Sequence, residues 1–241
     1  MRTIVYNYVK LLIKKRNCVN MVSVAAYISN SSFRLLWRYV NTNYSGILMD
    51  FLKHYSNDTL GPIQYDEAVF LYGLALTVAP KKVLEFGSLL GHSTRVWLEA
   101  GCEVTAVDIK ISPEVRQLQA EYPGMLRLCE MPMQEYLPDF REQFDLVFWD
   151  AGHNYEISKQ TYNNIYQNVR FSYHVIHDTG EWFYDTCPKH IQDNWPGGFK
   201  RKHQHQPDEY EFANYLEADD MQRIEFHTTR KFRHGITILK R

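Results

Sequence analysis

Two stretches of this chain gather side chains able to bind a cation or move a proton. The first is Asp150-Ala151-Gly152-His153-Asn154-Tyr155-Glu156 and the second is His177-Asp178-Thr179. Each ends a short apolar run, residues 144–149 and 173–176, of the kind that forms a buried parallel strand. If the two strands are neighbours, Asp150, His177 and Asp178 meet at one rim, with His153 in the loop just beyond Asp150. Two carboxylates and a histidine at one rim suit a divalent cation plus a general base. Asp150, His177 and Asp178 are the candidate ligands. His153, with an ordinary imidazole pKa of about 6.5, is the candidate base. An imidazole in such a set moves the preference away from magnesium toward softer ions. Blander readings stay open. Asp150 could cap a helix, His153 could be a structural hydrogen-bonder, and His177 could face the core, since strand neighbours point opposite ways.

The second constellation lies upstream, in Val83-Leu84-Glu85-Phe86-Gly87-Ser88-Leu89-Leu90-Gly91-His92-Ser93-Thr94. A strand runs into a glycine turn and a helix begins just after it. Gly87 would let backbone approach a ligand and Gly91 would allow a tight turn. Ser93 or Thr94 would cap the new helix, whose free N–H groups face the ligand. The G-x-x-x-G spacing is neither the G-x-G-x-x-G of dinucleotide binding nor the Gly-Lys-Ser/Thr of a P-loop. The next strand ends at Asp108, about twenty residues on. A carboxylate there can accept both hydroxyls of a ribose in the crevice where open α/β sheets bind ligands. Together they point to a nucleoside.

The elements that must position these groups alternate. The spacing predicts helices over 64–78, 93–100, 113–121 and 158–167, and strands over 82–86, 103–107, 126–128, 144–149 and 173–177. Strand and helix in alternation imply a Rossmann-like α/β fold: a mostly parallel sheet with helices on both faces. Residues 224–227 and 235–239 read as a closing antiparallel hairpin. Residues 1–60, rich in Asn, Tyr and Ser, read as an N-terminal helical cap, and 61–241 as the domain itself.

V-L-E-F-G-S-L-L-G-H-S-T followed by V-T-A-V-D resembles the first two motifs of class I S-adenosylmethionine (SAM)-dependent methyltransferases. The later D-x-x-H-x-Y-E and H-D-T resemble the macrocin-type O-methyltransferases and the related methyltransferase-24-like group. The resemblance spans residues 64–240. It implies that Gly87, Ser88 and Gly91 pack on the methionine part of SAM, with Ser93 in the helix turn beside them. Asp108 would hold the ribose, and Glu85 would order the turn or meet the amino group. Met133 sits in the segment where the family contacts adenine, and Asp150 borders the same crevice. Carried over by position, Asp150 and Asp178 would be metal ligands, His177 stands where the sugar enzymes carry an acid, and His153 would be the base. The implied cofactors are SAM and a divalent cation, magnesium or manganese, with iron as a further option.

Composition narrows the classes. A net charge of -1 gives no field for a polyanion, so no nucleic-acid partner is expected and a small-molecule substrate is. Four cysteines (Cys18, Cys102, Cys129 and Cys187) form no C-x-x-C pair, which argues against a zinc knuckle or disulfide scaffold. No stretch approaches the roughly 20 apolar residues of a membrane span. The basic residues Lys14-Lys15-Arg16 interrupt the short apolar patch at 9–13, unlike a signal peptide, so a cytoplasmic location is expected. A homo-oligomer is compatible with the sequence. The aromatic stretch 181–199 reads as a substrate lid or a packed surface loop. Two rivals remain. A non-haem Fe(II) oxygenase could use Asp150 with His153 or His177, and a binding module could keep the SAM pocket without turnover. The oxygenase reading leaves the glycine turn and Asp108 without a role.

Overall fold

A computed structural model of the chain describes residues 50, 53–55, 63–139, 142–166, 169, 171–179, 207–217, 222–226 and 235–240. The expected cap at 1–60 (a few residues aside), the aromatic stretch 181–199, the basic runs at 200–203 and 230–234, Cys18 and Cys187 lie outside the described residues.

Helix α1 (Tyr65–Val78) opens on a capping box: Glu67 accepts from the backbone of Gln64, and the Gln64 side chain accepts in return. It ends at Ala79 in the left-handed region, ahead of Pro80. Then follow β1 (Lys82–Phe86), α2 (His92–Glu99), β2 (Glu103–Asp108), α3 (Pro113–Glu121) and β3 (Leu126–Glu130). A 3-10 turn at Met133–Glu135 leads to β4 (Leu146–Trp149), α4 (Tyr155–Tyr166) and β5 (Tyr173–His177). Helix α5 (Pro207–Glu217) and the strands β6 (Gln222–Phe226) and β7 (Ile236–Lys240) complete the order.

The strands form one seven-stranded sheet in the order β3-β2-β1-β4-β5-β7-β6. The first five are parallel, and β7 is antiparallel to both β5 and β6. This is the expected architecture, closing hairpin included. Side chains alternate along each strand, which splits the core in two. Val83, Val104, Phe148 and Val175 pack beneath α1, α2 and α3 through Leu71, Trp97 and Leu118. Leu84, Phe86, Trp149 and Ile176 pack on the other face against Tyr162 and Ile165 of α4 and Phe212 and Leu216 of α5.

Two element starts and one additional helix differ from the sequence expectation. Strand β4 starts at Leu146 because Asp145 turns back, its Oδ2 accepting from the backbone of Lys81 at 2.7 Å and of Lys82 at 3.0 Å. Helix α4 starts three residues earlier than expected, where the Asn154 side chain accepts from Ile157 N at 3.1 Å. Helix α5 was not anticipated, although Pro207 followed by Asp208 and Glu209 is a helix-start signature.

Register decides what meets at the carboxyl edge. Phe86 pairs with Val107 of β2 and Trp149 of β4, and Trp149 pairs with Ile176 of β5. The next residue of each strand or turn, Gly87, Asp108, Asp150 and His177, therefore falls on one rim. The order reverses between β1 and β4, and ligands of open α/β sheets bind at such a switch point.

Candidate active site

The glycine turn closes around Asp108. Its Oδ2 accepts from the backbone N–H of Ser88 at 2.8 Å and of Leu89 at 3.0 Å, and from the Ser88 hydroxyl at 3.2 Å. Its Oδ1 accepts from Lys110 N at 3.1 Å. Gly87 has φ +87°, and a Cβ there would stand 2.1 Å from the Asp150 carbonyl oxygen. The space its missing side chain leaves is thus filled by the tip of β4, which presses turn and strand together. Gly91, φ +79°, would drive a Cβ to 2.6 Å from Leu118, so it serves packing against α3. Gly91 is also the N-cap of α2, which corrects the assignment of the cap to Ser93 or Thr94. Those two are buried in the first turn. The Thr94 hydroxyl is spent on Glu85, donating to Oε2 at 2.5 Å.

Glu85 lies wholly inside the protein. Burial pushes its carboxyl up to about 8, against hydrogen bonds from Ser93 and Thr94 that lower it. Near neutral pH it is a neutral acid, and its bond to Thr94 ties β1 to α2 beneath the turn. Met133 is buried and lies under the next loop, where a Cβ on Gly152 would stand 2.4 Å from Met133 Cε. Leu89 and Ile109, on either side of Asp108, are exposed apolar residues.

The second constellation assembles as the strand tips require. His177 Nδ1 lies 3.1 Å from Asp150 Oδ1 and 3.4 Å from Asp178 Oδ1. One ligand atom from each of these residues lies within 4.8 Å of the others. His177 is almost wholly buried, with Nδ1 toward Asp150 and Asp178 and Nε2 toward Glu67. Burial opposes its charged form, but the carboxylates of Asp150, Asp178 and Glu67 outweigh this and raise its pKa well above the ordinary range. The donor set, one imidazole nitrogen with two carboxylates, fits a divalent cation, and a nitrogen donor favours a transition ion over magnesium.

His153 stands across Asp178. Its Nδ1 is 3.7 Å from Asp178 Oδ2 and 2.5 Å from Glu209 Oε1, a residue of α5. The Glu209 carboxylate, opposed by burial and helped by Asp178 and Asp150, brings its imidazole up to about 9. This corrects the ordinary value of 6.5 used for the base, although an imidazole this exposed to solvent is partly screened. His153, Asp178 and Glu209 form a second group with converging ligand atoms. Backbone strain collects here. Leu89, His153 and Asp178 all have positive φ, a conformation that costs a non-glycine residue about 1–2 kcal/mol.

Sequence reasoning missed Glu67, Gly152 and Glu209. Gly152, next to a candidate base, and Glu209, in a helix-start signature, carried local signals, and Glu67 carried none that pointed to His177. A recess lined by Lys82, Glu103 and Glu142 lies at the opposite, amino-terminal ends of the strands and gathers no reactive cluster.

Residues 84–179 match the protein family described as a methyltransferase domain. No curated protein sequence matches the chain at a significant level. Among solved structures, the SAH-bound methyltransferase of Podospora anserina is 14% identical with TM-score 0.57, over 92% of this chain and 99% of that one. The O-methyltransferase TomG of Streptomyces achromogenes, involved in tomaymycin synthesis and solved with SAM, is 14% identical with TM-score 0.56, over 87% and 95%. The O-methyltransferase of Bacillus cereus, solved with SAH, is 15% identical with TM-score 0.50, over 85% and 96%. At these identities the likeness shows the fold.

Proposed function

We propose that this chain, a methyltransferase of the class I, SAM-dependent fold, transfers the methyl group to a hydroxyl oxygen of a small hydroxylated molecule or sugar. The observation that carries the reading is the contact between the two constellations. Gly87 of the cofactor turn abuts the carbonyl of Asp150, and Asp150 also belongs to the Asp150–His177–Asp178 group. A cofactor seated on the turn and an acceptor seated on that group would be neighbours.

In this reading the turn at Gly87–Gly91 holds the methionine part of SAM and the Asp108 carboxylate takes the ribose hydroxyls. The segment around Met133, which packs against Gly152, would border the adenine. Asp150, His177 and Asp178 would hold a divalent cation, which when bound would lower the pKa of the acceptor hydroxyl. The acceptor oxygen attacks the sulfonium methyl carbon, the carbon–sulfur bond breaks, and S-adenosylhomocysteine leaves. His153 takes the hydroxyl proton. Glu209, Asp178 and Asp150 raise its pKa in the cation-free chain, and a cation on Asp150 and Asp178 would offset their share and lower it. Glu209 holds the ring in place while it takes the proton.

The test is transfer of labelled methyl from SAM to a panel of catechols and sugars. His153→Ala is expected to lower turnover by about a hundredfold or more with SAM binding preserved. Glu209→Gln removes the largest influence raising the His153 pKa, so the rising limb of the pH–rate profile should move to lower pH. A His153→Ala rate equal to the unsubstituted protein's would remove His153 as the base. An Fe(II) oxygenase is not favoured by the fold or the family match, and the strained, converging groups at the rim speak against a module without turnover.

A further inference from the structure

Glu67 is a wholly buried carboxylate that the proposed reaction leaves unused. Its Oε2 accepts from Gln64 N at 2.9 Å and closes the capping box of α1. Glutamine would serve that box equally well, and a buried charge costs several kcal/mol unless it is paired. The other oxygen accounts for the charge. Glu67 Oε1 lies 3.3 Å from His177 Nε2, on the opposite side of the ring from Asp150 and Asp178. A carboxylate therefore faces each ring nitrogen, Glu67 in ion-pair contact at Nε2 and the cation-binding rim at Nδ1. Histidines that ligate metals commonly donate their second ring N–H to a carboxylate, which fixes the tautomer and ring orientation.

We propose that Glu67 accepts the Nε2–H of His177 and thereby turns the Nδ1 lone pair toward a divalent transition-metal ion shared with Asp150 and Asp178. The inference rests on the cation site of the proposed function and deepens it by naming the ion class and the residue that prepares the ligand. Magnesium prefers an all-oxygen shell, and the nitrogen donor held by Glu67 favours iron(II) or zinc(II) instead, with manganese(II) serving as their spectroscopic probe. Glu67 is a positioning residue, since it touches neither the ion nor the substrate.

The experiment is calorimetric titration of manganese(II) and of magnesium into the full chain, with S-adenosylhomocysteine binding measured alongside. Electron spin-echo spectroscopy of the bound manganese reads whether a nitrogen ligates it. The unsubstituted protein is expected to bind manganese(II) more tightly than magnesium and to show nitrogen coupling. Glu67→Gln, which keeps the capping acceptor, is expected to weaken manganese(II) by about tenfold to a hundredfold while binding S-adenosylhomocysteine normally. Manganese bound without nitrogen coupling, or bound equally well by Glu67→Gln, would overturn the inference. So would S-adenosylhomocysteine binding with no manganese binding, which would leave methyl transfer standing without a cation. Absence of S-adenosylhomocysteine binding would instead sink the proposed function. Should Glu67→Gln not fold, the nitrogen coupling and metal preference of the unsubstituted protein decide the matter.

Discussion

Replacing Glu85 by Gln tests the interior of the cofactor crevice through stability alone. The Glu85 carboxyl sits wholly inside the protein, with Oε2 accepting from the Thr94 hydroxyl at 2.5 Å. In the folded chain it titrates at about 8 rather than 4.5. Because the folded state holds this proton more tightly than the unfolded state, the stabilisation is complete below pH 4.5. It is lost as pH rises through the folded value. Each pH unit in that window removes about 1.4 kcal/mol, so at most about 5 kcal/mol is lost by pH 8. Glutamine has the shape of the neutral acid and no proton to lose. Urea unfolding of both proteins from pH 4.5 to 8.5 should therefore give similar stabilities at the acid end. Glu85→Gln should then become progressively more stable than the unsubstituted chain up to about pH 8. A stability difference constant across that range would show that Glu85 is ionised in the folded state, and the argument from burial would fail.

Two further substitutions follow from the same geometry. His174 is buried against Phe171 at 4.2 Å between ring centres, neither ring nitrogen has a hydrogen-bond partner, and burial pushes its pKa down to about 3. The stability of its neutral form is complete above pH 6.5 and is lost as pH falls toward 3. His174→Phe should accordingly move the acid-unfolding midpoint to lower pH, and an unmoved midpoint would show that this ring does not govern acid unfolding. Gly87→Ala places a Cβ 2.1 Å from the Asp150 carbonyl at a φ of +87°. It should destabilise the fold by roughly 2–4 kcal/mol and abolish S-adenosylhomocysteine binding, as read by denaturant unfolding and calorimetry. Stability within about half a kcal/mol of the original would mean the turn can relax away from β4.

Much of the fold was legible because parallel strands buried on both faces read as apolar runs, most plainly in Leu146–Trp149. Strand tips then placed Asp150, His177 and Asp178 together, since adjacent parallel strands end on one edge. What stayed hidden depends on partners distant in sequence. Glu67 looks like an ordinary polar position of an amphipathic helix, and its burial is explained only by His177 on β5. Glu209 meets His153 across 56 residues, on a helix whose start signal went unread. Along α1, Leu76 is 46% exposed whereas Val69 is buried. The helix is covered by β1 and α2 on a face wider than one stripe.

Calorimetric titration of SAM into the unsubstituted chain and Asp108→Ala tests the central claim most directly. The account expects micromolar binding by the unsubstituted chain and at least a tenfold loss, about 1.4 kcal/mol, in Asp108→Ala with its unfolding still cooperative. No SAM binding by the unsubstituted chain, or equal binding by Asp108→Ala, would contradict it.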